Sequence, residues 1–465
     1  MTAQDTRGPA LPGPLSARQV AVPTISALVT ATFQSPARRG LAPHFERVRD
    51  SKLVRQNFIL FLGGFTAGVG GFVYHAIAGR ELGPRRYGEV AALFALYLVG
   101  TTANLILVLV LARYAADLKA AGRTGAIRHL VARTSRLLAT PAIAVVLVTA
   151  ALSVPIAAFE HFDSPVPVIW LGLAIAMFCY TAIPRGILQG TQRFPALSAN
   201  LSLEVVARTT MLVVLLSIGL GVTGSMIAVL AGGTFAYLLG SYAMRDLFGV
   251  EREVVRMRTM VSFALTAAAG TLGILLLYSL DVVLAAHYLD KQNAGIYGSL
   301  NKIEVIIYYG TLSVSQVLFP RVVEAIATRR HPGRLLLLSS GLISALGIGA
   351  IVIFWITGGL IASLLFGSGF SAAHPYVLAV SFIGLGLSLD NLLVQFLMAV
   401  HDRAFIPILA AACVLLVGLI GLHHGGLTAI ITDVMVTIYA LLVTLAGRCA
   451  LLLTQFRPEM VHEAA

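Results

Sequence analysis

The chain has 465 residues, of which 58% are hydrophobic and only 12% are charged, and its mean hydropathy is +0.87. A soluble domain carries about a quarter charged residues, so this composition excludes a water-soluble globular protein and predicts an integral membrane protein. The formal net charge of +12 does not indicate a nucleic-acid-binding protein, because the basic residues fall in short clusters between apolar segments. The three cysteines all lie in apolar runs, which is not the pattern of a disulfide framework or a metal site.

The predicted elements begin after a tail rich in Pro, Ala, Ser and Arg at residues 1–55, for which we predict a cytosolic, disordered segment. Twelve apolar spans follow, each of about 18 to 25 residues and therefore long enough to cross a bilayer as a helix. They lie near 57–78, 89–111, 137–159, 166–188, 196–217 and 224–245, and then near 260–282, 296–320, 335–357, 374–400, 404–422 and 427–450.

Most of the 33 lysine and arginine residues lie in the tail, after the even-numbered spans, or at the C-terminus. Loops rich in Lys and Arg stay on the cytoplasmic side, so we predict that both termini are cytoplasmic. The predicted domains are two six-helix bundles at 56–247 and 260–453, a cytosolic linker at 248–259 and a cytosolic tail at 454–465.

An internal repeat relates the two bundles. The loops after the first and seventh spans both end in Tyr-Gly, at Tyr87-Gly88 and Tyr297-Gly298, which are 210 residues apart. Arg193 and Arg403, after the fourth and tenth spans, have the same offset. Because six spans are an even number, both copies enter the membrane in the same direction. The sequence therefore predicts an all-α membrane protein whose two bundles form a parallel repeat, as in transporters that rock two bundles about a central site.

Besides the Tyr-Gly turns, three stretches are distinctive: "YSLDVVLAAHYLDKQNAGIYGSLNKI", "QVLFPRV" and "LLFGSGFSAAHPYVLAVSFIGLGLSLDNLLVQFLMAVHDR". Together they resemble the polysaccharide and O-antigen flippases of the multidrug/oligosaccharidyl-lipid/polysaccharide (MOP) exporter superfamily. The resemblance covers about residues 55–450 and implies two bundles around a central cavity that moves undecaprenyl-diphosphate-linked glycans across the inner membrane. The long N-terminal tail departs from the usual pattern. The two further helices usual in lipid-II flippases are not found among the predicted spans.

Ionisable residues inside predicted spans are costly there and usually face a wet cavity or a partner. Glu204 and Arg208 are four residues apart on one helix face, so they form either a structural ion pair or part of a cavity. Asp281 lies at a span end, and Asp390 lies deeper in the tenth span. We take Glu204, Asp281 and Asp390 as ion-coupling candidates, while Asp433 is a weaker one.

The eighth span carries a polar stripe. At 100° per residue, Lys302, Tyr309, Ser313 and Gln316 share one face, and Glu304 lies on another. We predict that this stripe and Arg208 line the substrate cavity, and we add Glu304 to the ion-coupling candidates. The alternative for Lys302 is a side chain that only reaches toward the outer headgroups.

These features predict a multi-pass flippase of the bacterial cytoplasmic membrane that moves a lipid-linked oligosaccharide or polysaccharide precursor by alternating access. We expect no enzymatic activity, cofactor, metal or nucleic-acid partner. The candidate partners are the lipid-linked glycan, the bilayer, a proton or sodium ion, and polysaccharide assembly proteins. The alternatives are a multidrug or cation-coupled exporter of the same superfamily and a membrane glycosyltransferase or polysaccharide polymerase.

Overall fold

The computed structural model describes residues 52–249, 261–328, 330–357 and 360–455. Most of both predicted tails and nearly all of the predicted linker lie outside these ranges, and the described parts of the tails, 52–55 and 454–455, are helical. Within them the chain is helical, with no strand. Its α-helices are α1 (Lys52–Gly100), α2 (Thr102–Ala120), α3 (Thr124–Ala151), α4 (Ser153–Phe159), α5 (Val166–Gly190), α6 (Phe194–Ser217), α7 (Gly221–Ala243), α8 (Val261–Tyr288), α9 (Lys291–Ala327), α10 (Gly333–Thr357), α11 (Leu360–Phe366), α12 (Val377–Ala399), α13 (Phe405–Leu422) and α14 (Leu427–Gln455).

The helices account for the twelve predicted spans. Among the described residues, ten segments are long and apolar enough to cross a membrane, and the first of them, Leu62–Ala120, contains two crossings. The chain bends between these two at Gly83, whose φ of 67° and ψ of 171° suit only glycine, and the next helical segment begins with Pro84. The remaining crossing is α8, whose apolar stretch Leu272–Tyr288 is described. The prediction of twelve transmembrane helices is confirmed.

The helices form two groups that correspond to the two predicted bundles. In the first half α5 packs on α2, α3 and α7, while α6 packs on α1 and α7. In the second half α12 packs on α9, α10 and α14, while α13 packs on α8 and α14. The halves meet mainly where α1 contacts α8 and α9. The central contact therefore involves the helices that flank the Tyr-Gly turns.

The structure places both Tyr-Gly pairs inside helices and not at the ends of loops, because Tyr87-Gly88 follows Pro84 in the second segment of α1 and Tyr297-Gly298 lies in α9. These two Tyr-Gly segments pack directly against each other, and we call this contact the tyrosine seam (residues 84–91 against 294–298). A Cβ atom built on Gly295 would lie 1.8 Å from the Pro84 carbonyl oxygen, and one built on Gly88 would lie 2.9 Å from the Gly295 nitrogen. Only residues without a side chain permit this approach of two backbones. The seam thus closes the gap between the halves at one end of the molecule, the tyrosine end.

The opposite end, the tail end, also carries matching features in the two halves. The turns after α5 and α12 each contain a residue with a φ of 60°, Gln192 and His401. Each turn is tied to the end of its own half by an ion pair. Arg193 Nη1 lies 2.8 Å from Asp246 Oδ1, and Arg448 Nε lies 2.6 Å from Asp402 Oδ2. This recurrence agrees with the predicted duplication.

Candidate functional site

In the first half, three charged side chains meet between α5 and α6. Arg185 Nη2 donates a 2.5 Å hydrogen bond to Glu204 Oε2, and Arg208 Nη1 lies 3.8 Å from Glu204 Oε1. All three residues are buried. The sequence correctly predicted that Glu204 and Arg208 can pair. Arg185 is not among the sequence-predicted site residues, although it lies within the fourth predicted span; the structure places it inside α5, where it is the nearer partner of Glu204.

Arg208 has few polar contacts for a buried guanidinium. Its Cζ atom lies 5.2 Å from the centre of the Tyr74 ring and 5.8 Å from that of Phe94. Its Nε atom has no hydrogen-bond partner among the described residues. Aromatic faces stabilise a cation, but they leave its N–H groups free to bind an anion.

In the second half, Lys302 lies within a buried polar network at the tyrosine seam. Its Nζ atom donates a 3.0 Å hydrogen bond to Asn301 Oδ1 and lies 5.8 Å from the centre of the Tyr278 ring. Asp281 Oδ2 accepts a 2.7 Å hydrogen bond from the Tyr297 hydroxyl and a 3.5 Å contact from Asn301 Nδ2. Lys302 is only 6% exposed, so its ammonium lies inside the protein.

The two turn tyrosines make corresponding contacts in their own halves. The Tyr297 hydroxyl reaches Asp281 in the preceding helix, and the Tyr87 hydroxyl lies 3.2 Å from His75 Nδ1 in the first segment of α1. In both halves the tyrosine of the Tyr-Gly pair therefore contacts an ionisable residue of the preceding helical segment.

The other predicted acidic residues are buried and sparsely bonded. Glu304 and Asp390 are almost completely inaccessible. Glu304 Oε1 and both Asp390 carboxylate oxygens have no hydrogen-bond partner among the described residues. Asp433 lies 3.7 Å from His423 Nδ1, and its Oδ2 is likewise without a partner in the described part. No group of three or more His, Cys, Asp and Glu side chains is placed to hold a metal ion within the described ranges.

The polar stripe of α9 changes from buried to accessible along the helix. Lys302 is buried, whereas Tyr309 is 53% exposed and Ser313, one turn further from the tyrosine end, is also exposed. The side chain of Gln316 lies outside the described residues. The stripe is therefore buried at Lys302 and exposed at Tyr309 and Ser313.

An ion cluster joins the halves at the tyrosine end. Lys291, at the start of α9, lies 3.4 Å from Glu89 Oε1 and also contacts Asp163 in the loop before α5. The Asp163 backbone nitrogen donates a 3.2 Å hydrogen bond to Glu89 Oε1. The hydrogen bond from Lys291 lowers the pKa of Asp163 below its usual value. We call Lys291, Glu89 and Asp163 the latch, because one cation from the second half binds two carboxylates of the first.

Three solved structures share this architecture over most of the chain. An inward-facing multidrug resistance transporter of the MATE family in the MOP superfamily gives a TM-score of 0.64 at 12% identity, covering 85% of this chain and 96% of its own. An outward-facing MATE transporter of the same superfamily gives 0.61 at 13% identity, covering 86% and 95%. A MOP superfamily transporter from Pyrococcus furiosus gives 0.57 at 14% identity, also covering 86% and 95%. The fold is therefore that of the MOP superfamily transporters.

The sequence places the chain more narrowly within that class. The model of the polysaccharide biosynthesis protein family matches residues 53–326, and the chain belongs to this family. None of the curated proteins compared with the chain matches it significantly. The chain is thus a member of the polysaccharide biosynthesis protein family with the fold of the MOP superfamily transporters.

Proposed function

We propose that the protein moves a lipid-linked oligosaccharide or polysaccharide precursor from the cytoplasmic to the outer leaflet of the bacterial cytoplasmic membrane. The family match supports a glycan precursor, and the two-bundle fold supports alternating access. The excess of Lys and Arg in loops at the tail end supports an orientation with this end in the cytoplasm. The tyrosine end then faces outward.

The observation that carries the proposal is the stripe of α9. Lys302 is buried beside Asn301 and Tyr278, and Tyr309 and Ser313 continue the same face into the exposed part of the helix. A lipid-diphosphate headgroup needs cations that shelter its charges from hydrocarbon, and Lys302 and Arg208 are suitable in type and place. Tyr309, Ser313 and Gln316 provide hydrogen-bonding groups for the attached sugars along the same face. The prenyl tail remains in the lipid.

The closed seam and the open lower stripe describe one state of the transport cycle. In this state the latch and the glycine contacts close the outer side, and the stripe is accessible nearer the cytoplasm. A headgroup could thus enter from the cytoplasmic side. Export then requires the tyrosine seam to separate while the tail ends approach each other.

For coupling to a proton or sodium ion we propose Asp281, Glu304 and Asp390. Each is buried and has at least one carboxylate oxygen without a hydrogen-bond partner among the described residues. An unpaired buried carboxylate is unfavourable in free energy, so such oxygens can take up a proton or ligate a cation. Glu204 is a weaker candidate, since Arg185 already neutralises it.

The test is export of surface glycan by cells that carry K302A or R208A in place of the wild-type protein. We expect either variant to lower export about tenfold or more at normal protein levels, because a hydrogen bond to a charged group is worth roughly 1.5–3 kcal/mol. R193A, which removes an arginine from the tail-end ion pair, is the control and should export normally. Undiminished export by K302A and R208A would refute the assignment of these cations.

The similarity of the fold to multidrug transporters supports a second candidate, a cation-coupled drug exporter. Its substrates are often cationic, and buried Glu304 and Asp390 would suit them. Deletion of the gene separates the two functions. Loss of surface glycan with accumulation of lipid-linked intermediates supports the flippase, whereas normal glycan with increased dye sensitivity supports the drug exporter.

A further inference from the structure

We propose that Arg185 is a positioning residue that keeps Arg208 available to an anionic headgroup. Arg185 holds Glu204, the carboxylate that would otherwise neutralise Arg208 on its own helix. The inference deepens the function proposed above, since it rests on a lipid-diphosphate substrate.

The first step is that Glu204 is committed to Arg185. The hydrogen bond between them is 2.5 Å long, and Arg185 Nε donates a second bond of 3.0 Å to Asn200 Oδ1. Asn200 in turn donates a 2.6 Å bond from Nδ2 to the Ala236 carbonyl of α7. The Phe178 ring lies against the guanidinium, with 5.3 Å from its centre to Arg185 Cζ. Arg185 is thus fixed by α5, α6 and α7 together.

The second step concerns Arg208, which follows Glu204 by one helical turn. This i,i+4 spacing normally favours a close ion pair. Instead the nearest approach is 3.8 Å, and the carboxylate oxygen that forms the short bond faces Arg185. Two arginines and one glutamate leave a net charge of +1 in a buried site. The charge resides on Arg208, whose Nε atom lacks a hydrogen-bond partner in the described part of the chain.

The third step is energetic. A buried cation with an unsatisfied N–H is costly, and an anionic ligand that supplies oxygen acceptors removes that cost. A diphosphate provides such oxygens, and arginine matches their geometry with two parallel hydrogen bonds. If Arg185 were lost, Glu204 could turn to Arg208, and the site would lose its net positive charge. The affinity for an anion would fall although Arg208 itself was unchanged.

The experiment measures binding of farnesyl diphosphate to the purified full-length protein in detergent, with farnesol as the control for the apolar tail. We expect R208Q and R185Q each to weaken binding about tenfold. The double variant R185Q/E204Q should recover most of the wild-type affinity, because no carboxylate remains to capture Arg208. The matched control is R193Q, which removes an arginine from an ion pair outside the site and should bind normally.

E204Q keeps the test informative if R185Q fails to fold. It raises the net charge of the site to +2, so it should bind farnesyl diphosphate at least as tightly as the wild type. Two results would overturn the inference and show that Arg185 has only a structural role. One is weaker binding of farnesyl diphosphate by E204Q than by the wild type, and the other is an affinity of the double variant no higher than that of R185Q.

Two further outcomes separate this inference from the proposed function. If R208Q binds normally while K302Q binds weakly, the headgroup is held without Arg208, so the inference fails and the flippase remains. If the wild type binds a lipophilic cation such as tetraphenylphosphonium and not farnesyl diphosphate, the anionic substrate is wrong and both fail.

Discussion

At the scale of single residues, Glu160 has the clearest pH-dependent behaviour outside the membrane spans. It follows α4, is 4% exposed, and its Oε2 atom has no hydrogen-bond partner among the described residues. Burial disfavours the charged form and raises the pKa of Glu160 to about 8. The folded protein therefore binds more protons than the unfolded chain between the usual value of 4.5 and about 8.

The consequence is a loss of stability as the pH rises through that window. The contribution of the protonated carboxyl to the free energy of unfolding is fully present below the pKa of the unfolded state. It falls by about 1.4 kcal/mol per pH unit until the pH passes the pKa of the folded state. We predict that E160Q removes this slope and raises the melting temperature near pH 8 more than near pH 5. Melting curves of the detergent-solubilised wild type and E160Q, recorded between pH 5 and 8, measure this difference in melting temperature. E324Q changes an exposed carboxyl and is the control; equal slopes for wild type and E160Q would contradict the prediction.

The sequence revealed part of the charged site of the first half. Glu204 and Arg208 could be paired from their spacing, because i,i+4 contacts depend only on helix geometry. Arg185 gave no such signal, because it lies near the end of an apolar run, where a basic residue usually marks the membrane boundary. Its partner comes from another helix. A contact between helices leaves no periodic signal in a single sequence.

At the scale of elements, the start of α9 determines how closely the halves approach. Asp290 caps the helix, and its Oδ1 accepts hydrogen bonds from the backbone nitrogens of Gln292 and Asn293 at 3.0 and 3.1 Å. One turn later, Gly295 meets the Pro84 carbonyl. The cap fixes where the helix begins, so the position of the glycine at the seam is fixed with it.

We predict that G295A prevents the tyrosine seam from closing. A methyl group would overlap the Pro84 oxygen, and overpacking of this kind costs about 1–3 kcal/mol, enough to shift the populations of closed and open states roughly 5- to 150-fold. Distances between spin labels at Glu81 and His424, both exposed at the tyrosine end, measure the opening. G341A is the matched helical control, because no described atom lies within 4 Å of its Cβ position. A G295A distance distribution like that of the wild type would argue against the prediction.

The number of membrane-spanning helices could be predicted from the sequence, but the positions at which the helices are interrupted could not. Twelve apolar runs of spanning length are a strong signal, since the bilayer requires continuous helices. The break between α1 and α2 at Thr101 and the short helices α4 and α11 fall outside that rule. They depend on local packing, which hydropathy does not record.

At the scale of the whole molecule, the latch connects electrostatics to conformation. Lys291 is the cation of the cluster, and both of its carboxylate partners belong to the other half. The hydrogen bond from Lys291 lowers the pKa of Asp163 below the usual carboxyl value of 3.8. The attraction between Lys291 and Asp163 is therefore fully present above pH 3.8 and is lost only as the pH falls through the lowered pKa of Asp163. The contact between Lys291 and Asp163 should therefore be intact throughout the neutral range.

We predict that K291Q favours opening of the tyrosine end. A partly exposed ion pair contributes about 0.2–1 kcal/mol, so the open population should increase roughly 1.4- to fivefold. The same pair of spin labels at Glu81 and His424 reports the shift. K291R, which keeps the positive charge, should resemble the wild type, and an unchanged distribution in K291Q would show that the latch does not hold the seam.

The sequence predicted the two halves and their repeat, but not the state in which they meet. Open and closed states share the same helices and differ in weak contacts such as the latch and the glycine approach at Gly295. Such differences amount to a few kcal/mol spread over residues far apart in the chain. A hydropathy pattern is the same in both states.

The tyrosine seam is also a contact between a turn and its own copy. Before the duplication, an ancestral single bundle with this turn would have met a second bundle through the same surface, as in a two-fold symmetric dimer. Each substitution in that turn would then have entered the interface twice, once from each side. Once the gene was duplicated, the neighbours of Gly88 and Gly298 could diverge, and a one-sided cluster such as Lys291 with Glu89 and Asp163 could arise.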